Sequence, residues 1–390
     1  METRTTDVVI IGAGSVGSMA AWQLAARGVK VIGLDRFSIP GSFSAYAGES
    51  RIFRTVYIEG GHYTPLLRRA QELWRRLESE SGVDLLQKDG AVTIVGHGHP
   101  DLRALERASS DYALQHEILT GDAARARFPG HVIEDTDTVF FDPEGGYVRP
   151  EKAVIEALKA ASRNGATWLG NRKVLAIEPA GSRWRVRTAQ EAVVADKVIV
   201  SAGTGAGGIA TALGTHLSVL PQVLTWFPMK TPGSGAYSGD GAPVFMRRSN
   251  DAQFYGFPSS DGWTVKVAAS VYLEEVAGME RPLSYDPGHL ETIRSWVRTY
   301  LPDLHPDPIR TAVCADGYTV DHTGLLGEVP GMPGVIAALG FSGHGFKMAS
   351  SLGAVAAELA WDGSSATDVS FMDPGRFLPA GRTLSTLEFA

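Results

Sequence analysis

The chain has 390 residues, which is too long for one ordinary hydrophobic core, so two domains are predicted. Lys and Arg number 36 against 43 Asp and Glu, and this net charge of −7 argues against binding to nucleic acids or to anionic membranes. No apolar stretch is long enough to span a membrane and the N-terminus lacks a signal-like segment, so we expect a soluble cytoplasmic protein. The single cysteine, Cys314, excludes a disulfide within the chain and a Cys-based zinc site, and the histidines lack ligand spacing, so no metal is expected.

The N-terminal segment is typical of a βαβ unit. A buried strand is predicted over residues 7–11, a helix over 15–27 and a second strand over 30–35. The first strand and the helix are joined by Gly12-Ala13-Gly14-Ser15-Val16-Gly17, which is the context that a dinucleotide fingerprint requires.

Each glycine of this fingerprint has a physical task. Gly12 permits a tight turn, Gly14 allows a pyrophosphate to approach the backbone, and Gly17 lets the helix pack closely on the strand. The free N–H groups at the start of the helix favour phosphate, and Asp35 at the end of the second strand suits ribose hydroxyls. The pattern predicts a dinucleotide site without distinguishing FAD from NAD.

The rest of the chain mixes helical and strand patterns. Helices are predicted over residues 64–80, 151–164, 289–300 and 348–361, and residues 98–127 are helix-like. Strands are predicted over residues 90–95, 172–178, 183–188, 197–201 and 335–339. Residues 142–149 read as a turn-rich link, and the tail after about residue 375 carries little signal. We therefore predict an α/β (α+β) fold in which a discontinuous Rossmann-like domain is interwoven with a mainly antiparallel sheet domain.

Five sequence blocks resemble one family of flavoproteins. Besides the N-terminal fingerprint, they are Glu49-Ser50-Arg51-Ile52-Phe53-Arg54, Tyr255-Gly256-Phe257-Pro258 with Lys266 beyond it, Ala312-Val313-Cys314, and Gly340-Phe341-Ser342-Gly343-His344-Gly345-Phe346-Lys347. The chain resembles the monomeric sarcosine oxidase and N-methyltryptophan oxidase family of the D-amino-acid oxidase superfamily. The resemblance runs over nearly the whole chain.

This resemblance implies a fold and a function. Residues 1–86, 151–217 and 320–390 would form the FAD-binding domain, and residues 87–150 and 218–319 the substrate domain. The implied reaction is oxidation of a secondary amine such as an N-methyl amino acid, with hydride transfer to flavin N5, release of an imine, and reoxidation by O2 to hydrogen peroxide. The substrate would be a small amine and the protein a monomer. Two alternatives stay open: oxidation of a cyclic imino acid or tailoring of a natural product, and a flavin dehydrogenase with an acceptor other than O2.

The resemblance also implies a set of FAD contacts. The cysteine that matches Cys314 is bonded through sulfur to the 8α-methyl of the flavin in that family, which implies covalent attachment here. The residues expected at the cofactor are Gly12, Gly14, Ser15, Val16, Gly17, Asp35, Arg36, Ser50, Arg51, Val174, Gly203, Cys314, Gly343, Gly345 and Lys347.

The catalytic residues are expected on both sides of the flavin. Arg54 and Lys347 match the positions that bind the substrate carboxylate, and an Arg fork or a Lys point charge suits that task. Arg51 would stabilise reduced flavin, and Lys266 matches the lysine that assists O2 reduction. Tyr255 matches a tyrosine near the substrate carbons, although a core tyrosine is an equal alternative.

Two expected substrate contacts depart from the family pattern. Ser270 stands where sarcosine oxidases have a histidine, and Asp316 stands where they have a tyrosine. An acid in place of an aromatic residue changes the polarity of the pocket and could bind a cationic group. Gly205 also replaces a bulky residue. His344 is interpreted as structural or flavin-adjacent, and not as a general base.

Overall fold

The computed structural model describes residues 2–41, 44–239, 241–249, 251–270, 273–278 and 284–389. Within these residues the strands form two large sheets and one small sheet, and helices pack against the large ones. This arrangement confirms the predicted α/β fold class.

The first sheet is built around the N-terminal strand. Glu2–Ile11 lies between Glu191–Val200 and Val31–Leu34, and both pairings are parallel. Val8 and Ile10 point to one hydrophobic core while Val9 and Ile11 point to another. The strand is apolar at consecutive positions because both faces of a parallel sheet are covered. The other strands of this sheet are Thr167–Leu169, Val174–Ala180, Arg183–Thr188, Leu325–Glu328, Val335–Leu339 and Leu387–Glu388.

A layer of helices covers one face of the first sheet. Helix Ser15–Ala25 packs against Pro150–Arg163 and Ala349–Asp362, and Thr64–Ser81 packs against the last two of these. Small side chains dominate the contact of the first helix with the C-terminal one, and a Cβ atom on Gly353 would lie 2.5 Å from the Met19 side chain. The further helices are Asp101–Tyr112, Gly121–Arg127, Gly207–Ala212 and His289–Tyr300, and the short 3-10 turns are Gly61–Tyr63, Gly203–Gly205, Phe346–Met348, Ser370–Met372 and Pro374–Phe377.

The second sheet is almost entirely antiparallel. In spatial order its strands are Arg310–Tyr318, Ser218–Pro228, Thr264–Ala269, Gln253–Phe257, Val244–Arg248, Ala91–Val95, Thr138–Asp142 and Glu117–Thr120. Only Val244–Arg248 and Ala91–Val95 pair in parallel.

The two faces of the second sheet have different roles. Phe254, Val265 and Val267 pack into a core with helix His289–Tyr300 on one face. Because side chains alternate along a strand, Tyr255 and Lys266 point to the opposite face. That opposite face forms the wall of the cavities described below.

A small third sheet joins the N-terminal region to the second sheet. Arg51–Phe53 and Leu86–Gln87 both pair antiparallel with Gly146–Val148. Residues 142–149, predicted as a link, therefore include a strand. This pairing fixes the backbone of the segment that carries Arg51 and Arg54.

A further prediction of local structure is wrong. Residues 98–127 are not one helix-like stretch, because Glu117–Thr120 is a strand that pairs with Thr138–Asp142 at the sheet edge. An exposed edge strand does not need the apolar alternation that signals a strand in sequence. The tail contributes Leu387–Glu388 to the first sheet, where Leu387 is buried beside Ile177.

The strands of the first sheet all lie within residues 1–86, 151–217 and 320–390, and those of the second within 87–150 and 218–319. The division into a nucleotide domain and a substrate domain stays a prediction. Among the described residues, no helix is both long enough and apolar enough to cross a bilayer.

Candidate active site

Two cavities lie on either side of the segment that follows the second strand. The first, of about 890 Å³, lies at the carboxyl ends of the parallel strands and is lined by the glycine turn, Asp35 and residues 201–205. The second, of about 1770 Å³, lies between the second sheet and the loop 342–347. Ala45 lines both cavities, so they share a wall at this residue.

The glycine turn leaves room for a phosphate group. Gly12 has a φ of +98°, and a Cβ atom there would lie 2.3 Å from the Ser201 carbonyl oxygen. A Cβ atom on Gly17 would lie 1.9 Å from the Gly12 carbonyl oxygen, whereas one on Gly14 would meet nothing within 4 Å. Gly14 therefore faces open space at the start of helix Ser15–Ala25, where backbone N–H groups favour an anion.

Asp35 closes the adenosine side of the first cavity. Its Oδ2 atom accepts a hydrogen bond from Ala13 N–H at 2.9 Å, and its Oδ1 atom accepts one from Phe37 N–H at 2.9 Å. Burial raises the pKa of Asp35, although these N–H groups oppose the shift. Both contacts hold the carboxylate at the rim of the cavity, so the residues present fit the adenosine and pyrophosphate of FAD.

Arg51 and Lys266 are wrapped by the backbone of residues 45–50. Arg51 Nη2 donates to the carbonyls of Ala45 and Ala47 at 2.8 and 2.6 Å. Lys266 Nζ donates to the carbonyls of Gly48 and Ser50 at 2.7 and 3.0 Å, and the side chain is only 4% exposed. Burial and the nearby Arg51 charge hold the pKa of Lys266 well below its usual range.

Cys314 stands beside this pair of cations. Its Sγ atom lies 3.9 Å from Arg51 Nη2. In the antiparallel strand pair, Cys314 lies opposite Gln222. The thiol is half buried and makes no disulfide.

A second group of charges lines the far side of the second cavity. Arg54 Nη2 donates to both carboxylate oxygens of Glu59 at 2.9 Å, and its guanidinium lies over the Tyr57 ring. Lys347 Nζ lies 3.4 Å from Tyr57 Oη and 4.8 Å from the ring centroid. Arg54 and Lys347 are 7% and 8% exposed, so their charges are poorly screened.

The pKa values in this group are strongly shifted. Burial, aided by Arg54, lowers the pKa of Lys347 to about 7, although Glu59 opposes the shift. Desolvation alone would raise the pKa of Glu59, but Arg54, Lys347 and His344 lower it to about 2. The group therefore presents concentrated positive charge to a carboxylate ligand, with Glu59 as the internal competitor.

The loop before the C-terminal helix is shaped by glycine. Gly343 has a φ of +78°, and a Cβ atom there would lie 2.1 Å from Tyr318 Oη. His344 Nε2 lies 3.1 Å from the His322 carbonyl oxygen and must donate to it. Burial lowers the pKa of His344 to about 4, so its ring is neutral near pH 7. This geometry fits the structural role predicted for His344.

The family match is decided by comparison with known proteins. The FAD dependent oxidoreductase family matches residues 7–359. The chain belongs to this family. It is 30% identical to the monomeric sarcosine oxidase of Streptomyces avermitilis, over 96% of this chain and 99% of that protein. It is 31% identical to the N-methyl-L-tryptophan oxidase of Yersinia pestis, over 95% of this chain and 99% of that protein.

The fold is also that of solved structures. The L-proline dehydrogenase from P. horikoshii matches with a TM-score of 0.84 at 20% identity, covering 96% of this chain and 98% of that one. The resemblance inferred from sequence is therefore confirmed. The protein is an FAD-dependent oxidoreductase of the sarcosine and N-methyl amino acid oxidase type.

In this oxidoreductase most predicted site residues line two cavities or a third, separate opening. The first cavity is lined by Gly12, Gly14, Ser15, Asp35, Arg36, Val174, Gly203 and Gly205. The second is lined by Arg51, Arg54, Tyr255, Ser270, Cys314, Asp316, Gly343 and Lys347. Val16, Gly17 and Gly345 lie behind the cavity walls, and Ser50 and Lys266 line a separate opening with Glu49 and Trp226.

Several residues of the oxidoreductase site were missed by sequence reasoning. Glu59 and Tyr57 contact Arg54. An acid or a tyrosine within five residues of an arginine does not by itself indicate a functional site in a sequence. Gln222 was also missed. Tyr255 Oη donates to its Oε1 atom at 2.9 Å, and its Nε2 atom donates to the Ala269 carbonyl at 2.9 Å. The described residues contain no cluster of His, Cys, Asp or Glu that could hold a metal.

Proposed function

We propose that this oxidoreductase is an FAD-dependent oxidase of secondary-amine amino acids that uses O2 and releases hydrogen peroxide. One observation carries the proposal: the cavity that contains Cys314 also contains the buried cations Arg54 and Lys347. An amino acid that occupies this cavity would have its carboxylate bound at one end and its amine toward the other. Bound FAD would supply the two-electron acceptor for oxidation of the C–N bond.

The chain's own residues have distinct tasks in this proposal. Arg54 and Lys347 orient the substrate through its carboxylate, and the exclusion of water by Tyr57 and neighbouring side chains strengthens that attraction. The amide of Gln222, which is held by the Ala269 carbonyl, accepts the hydroxyl hydrogen of Tyr255 and so fixes the position of this hydroxyl in the cavity.

Cys314 and Arg51 would hold the cofactor. The Cys314 sulfur would be the point of attachment to the flavin 8α-methyl, and it lies 3.9 Å from Arg51 Nη2. Gly14 and Asp35 would hold the pyrophosphate and ribose in the first cavity. A tether at Cys314 would prevent loss of the cofactor when the enzyme is dilute.

Lys266 would assist the reduction of O2. The lysine lines an opening of about 1090 Å³ whose lining does not overlap that of the substrate cavity. A small neutral molecule would therefore reach it without passing the substrate. A buried cation stabilises the negative charge that develops as O2 is reduced.

A substrate panel tests this function. We expect peroxide in air from at least one member of a set of N-methyl and cyclic amino acids, and little from the corresponding methyl esters, since Arg54 and Lys347 would have no carboxylate to bind. Peroxide is measured by a coupled peroxidase assay, with flavin bleaching under anaerobic conditions as the second readout. Bleaching without peroxide would indicate a dehydrogenase, and no bleaching by any member would refute amine oxidation. Turnover confined to cyclic substrates would favour an imino acid oxidase.

A further inference from the structure

The second cavity contains a carboxylate that forms no ion pair with any residue that the structure describes. Asp316 lies two residues beyond Cys314 on strand Arg310–Tyr318, and its half-buried side chain faces the cavity. Its Oδ1 atom accepts a hydrogen bond from Gly317 N–H at 2.9 Å. Among the residues that the structure describes, no Lys, Arg or His nitrogen lies within 4.0 Å of this carboxylate.

The other two acids that line the same cavity, Glu59 and Asp321, have cationic partners. Glu59 pairs with Arg54 at 2.9 Å, and Asp321 pairs with Arg376 at 2.9 Å. Arg51 also lines this cavity, and its N–H groups donate to backbone carbonyls. Asp316 is therefore the acid of this cavity that has no ion-pair partner among the described residues, so a cationic ligand can pair with it.

The Asp316 carboxylate is ionised at neutral pH. Burial raises its pKa to about 6, while the N–H groups of Gly317 and Gly343 and the charge of Arg51 oppose the shift. A partly desolvated carboxylate without an ion-pair partner is unfavourable, and a cationic ligand reduces that penalty.

The cavity thus has two charged poles. Arg54 and Lys347 form the positive pole, and Asp316 forms the negative pole. On the basis of the proposed function, we propose that Asp316 binds a second positive charge on the substrate, so that the preferred substrates are secondary-amine amino acids with an ammonium or guanidinium side chain. Asp316 is thereby a specificity-determining residue.

A purely structural role for Asp316 makes a different prediction. The Gly343 N–H is near enough to lower the pKa of this carboxylate, so that contact could serve only to hold the loop that precedes the C-terminal helix. Loss of that contact would impair every substrate to the same extent. The ratio between a cationic and a neutral substrate separates the two roles.

The experiment uses a matched pair of substrates with the flavin-loaded enzyme. Nα-methyllysine and N-methylnorleucine have side chains of similar length, and only the first is charged. We expect kcat/KM to favour the lysine derivative by roughly 10–100-fold, since a charge-assisted hydrogen bond contributes about 1.5–3 kcal/mol. Asp316→Asn should remove most of this ratio while leaving the neutral substrate less affected. Asp321→Asn is the matched control, because that acid lines the same cavity but is paired with Arg376, and it should preserve the ratio.

A binding measurement tests the same claim without turnover. 5-Aminopentanoate should perturb the visible spectrum of the wild-type flavin at lower concentration than hexanoate, and Asp316→Asn should abolish the difference. The inference is overturned if wild type shows no preference for the charged member of either pair. It is also overturned if Asp316→Asn lowers kcat/KM for both substrates by the same factor. If neither N-methyl amino acid nor any other secondary amine bleaches the flavin, the proposed function fails. The spectral titration with 5-aminopentanoate and hexanoate does not depend on turnover, so it still tests Asp316 and distinguishes the two failures.

Discussion

Lys266→Met is expected to slow reoxidation of the reduced enzyme by O2 on the order of 10²-fold, with only a small effect on reduction by substrate. The Lys266 side chain is buried, and its Nζ atom is held by the carbonyls of Gly48 and Ser50. Because burial and Arg51 lower its pKa, the protonated form is most favoured when negative charge develops nearby, as it does when O2 is reduced. Met keeps much of the side-chain volume and removes the charge.

The two half-reactions are measured separately. Anaerobic mixing with substrate gives the rate of reduction, and mixing of the reduced enzyme with oxygenated buffer gives the rate of reoxidation. Lys152→Met is the matched control, since Lys152 lines the same opening and should leave both rates unchanged. Equal slowing of both half-reactions by Lys266→Met would refute the assigned role, as would normal reoxidation.

Lys347→Met is expected to weaken carboxylate binding by roughly 10–100-fold, because it removes a charged donor from a water-poor site. Lys347 is 8% exposed and is packed on Tyr57, so a methionine can occupy the same space. Propanoate, which lacks an amine, reports carboxylate binding without the titration of the substrate nitrogen. Its inhibition constant against substrate oxidation is the quantity to measure.

The pH dependence of that constant identifies the titrating group. The ligand needs the protonated lysine, and the pKa of Lys347 in the free enzyme is about 7. Affinity of wild type for propanoate should therefore fall as the pH rises through 7, and the slope should be absent from Lys347→Met. Glu59→Gln should act in the opposite direction, because it frees the Arg54 guanidinium from an internal carboxylate. An unchanged inhibition constant in Lys347→Met would contradict the account.

The part of the site that sequence could predict is the part built from local backbone geometry. Gly12 and Gly17 are required because any Cβ atom would collide with the neighbouring backbone, and such constraints leave a fixed spacing in the chain. The same holds for Gly343, which packs against Tyr318. Motif spacing therefore suffices to predict residues of this kind.

The part that escaped prediction depends on contacts between distant segments. Gln222 meets Tyr255 because three strands of the second sheet place them on one face, and no periodicity specifies that pairing. Glu59 is close to Arg54 in sequence, yet its importance comes from the cavity into which both project. The edge strand Glu117–Thr120 is stabilised by its neighbour and not by an apolar pattern of its own.

What the family resemblance says about Asp316 differs from what the structure says about it. Sequence showed a departure from the family pattern at this position. The structure adds that the carboxylate faces the substrate cavity and has no cation within ion-pairing distance among the described residues. The departure alone indicated that a cationic group could bind, and the position in the cavity without an ion-pair partner gives that hypothesis a structural basis.

The account rests on a flavin ring held beside Cys314, and acid precipitation of the purified protein tests this most directly. We expect the wild-type pellet to stay yellow, because a thioether survives denaturation, and the colour of Cys314→Ala to pass into the supernatant. Colour released from wild type would refute the tether at Cys314. A protein that is colourless both before and after precipitation would contradict the assignment of the two cavities to FAD.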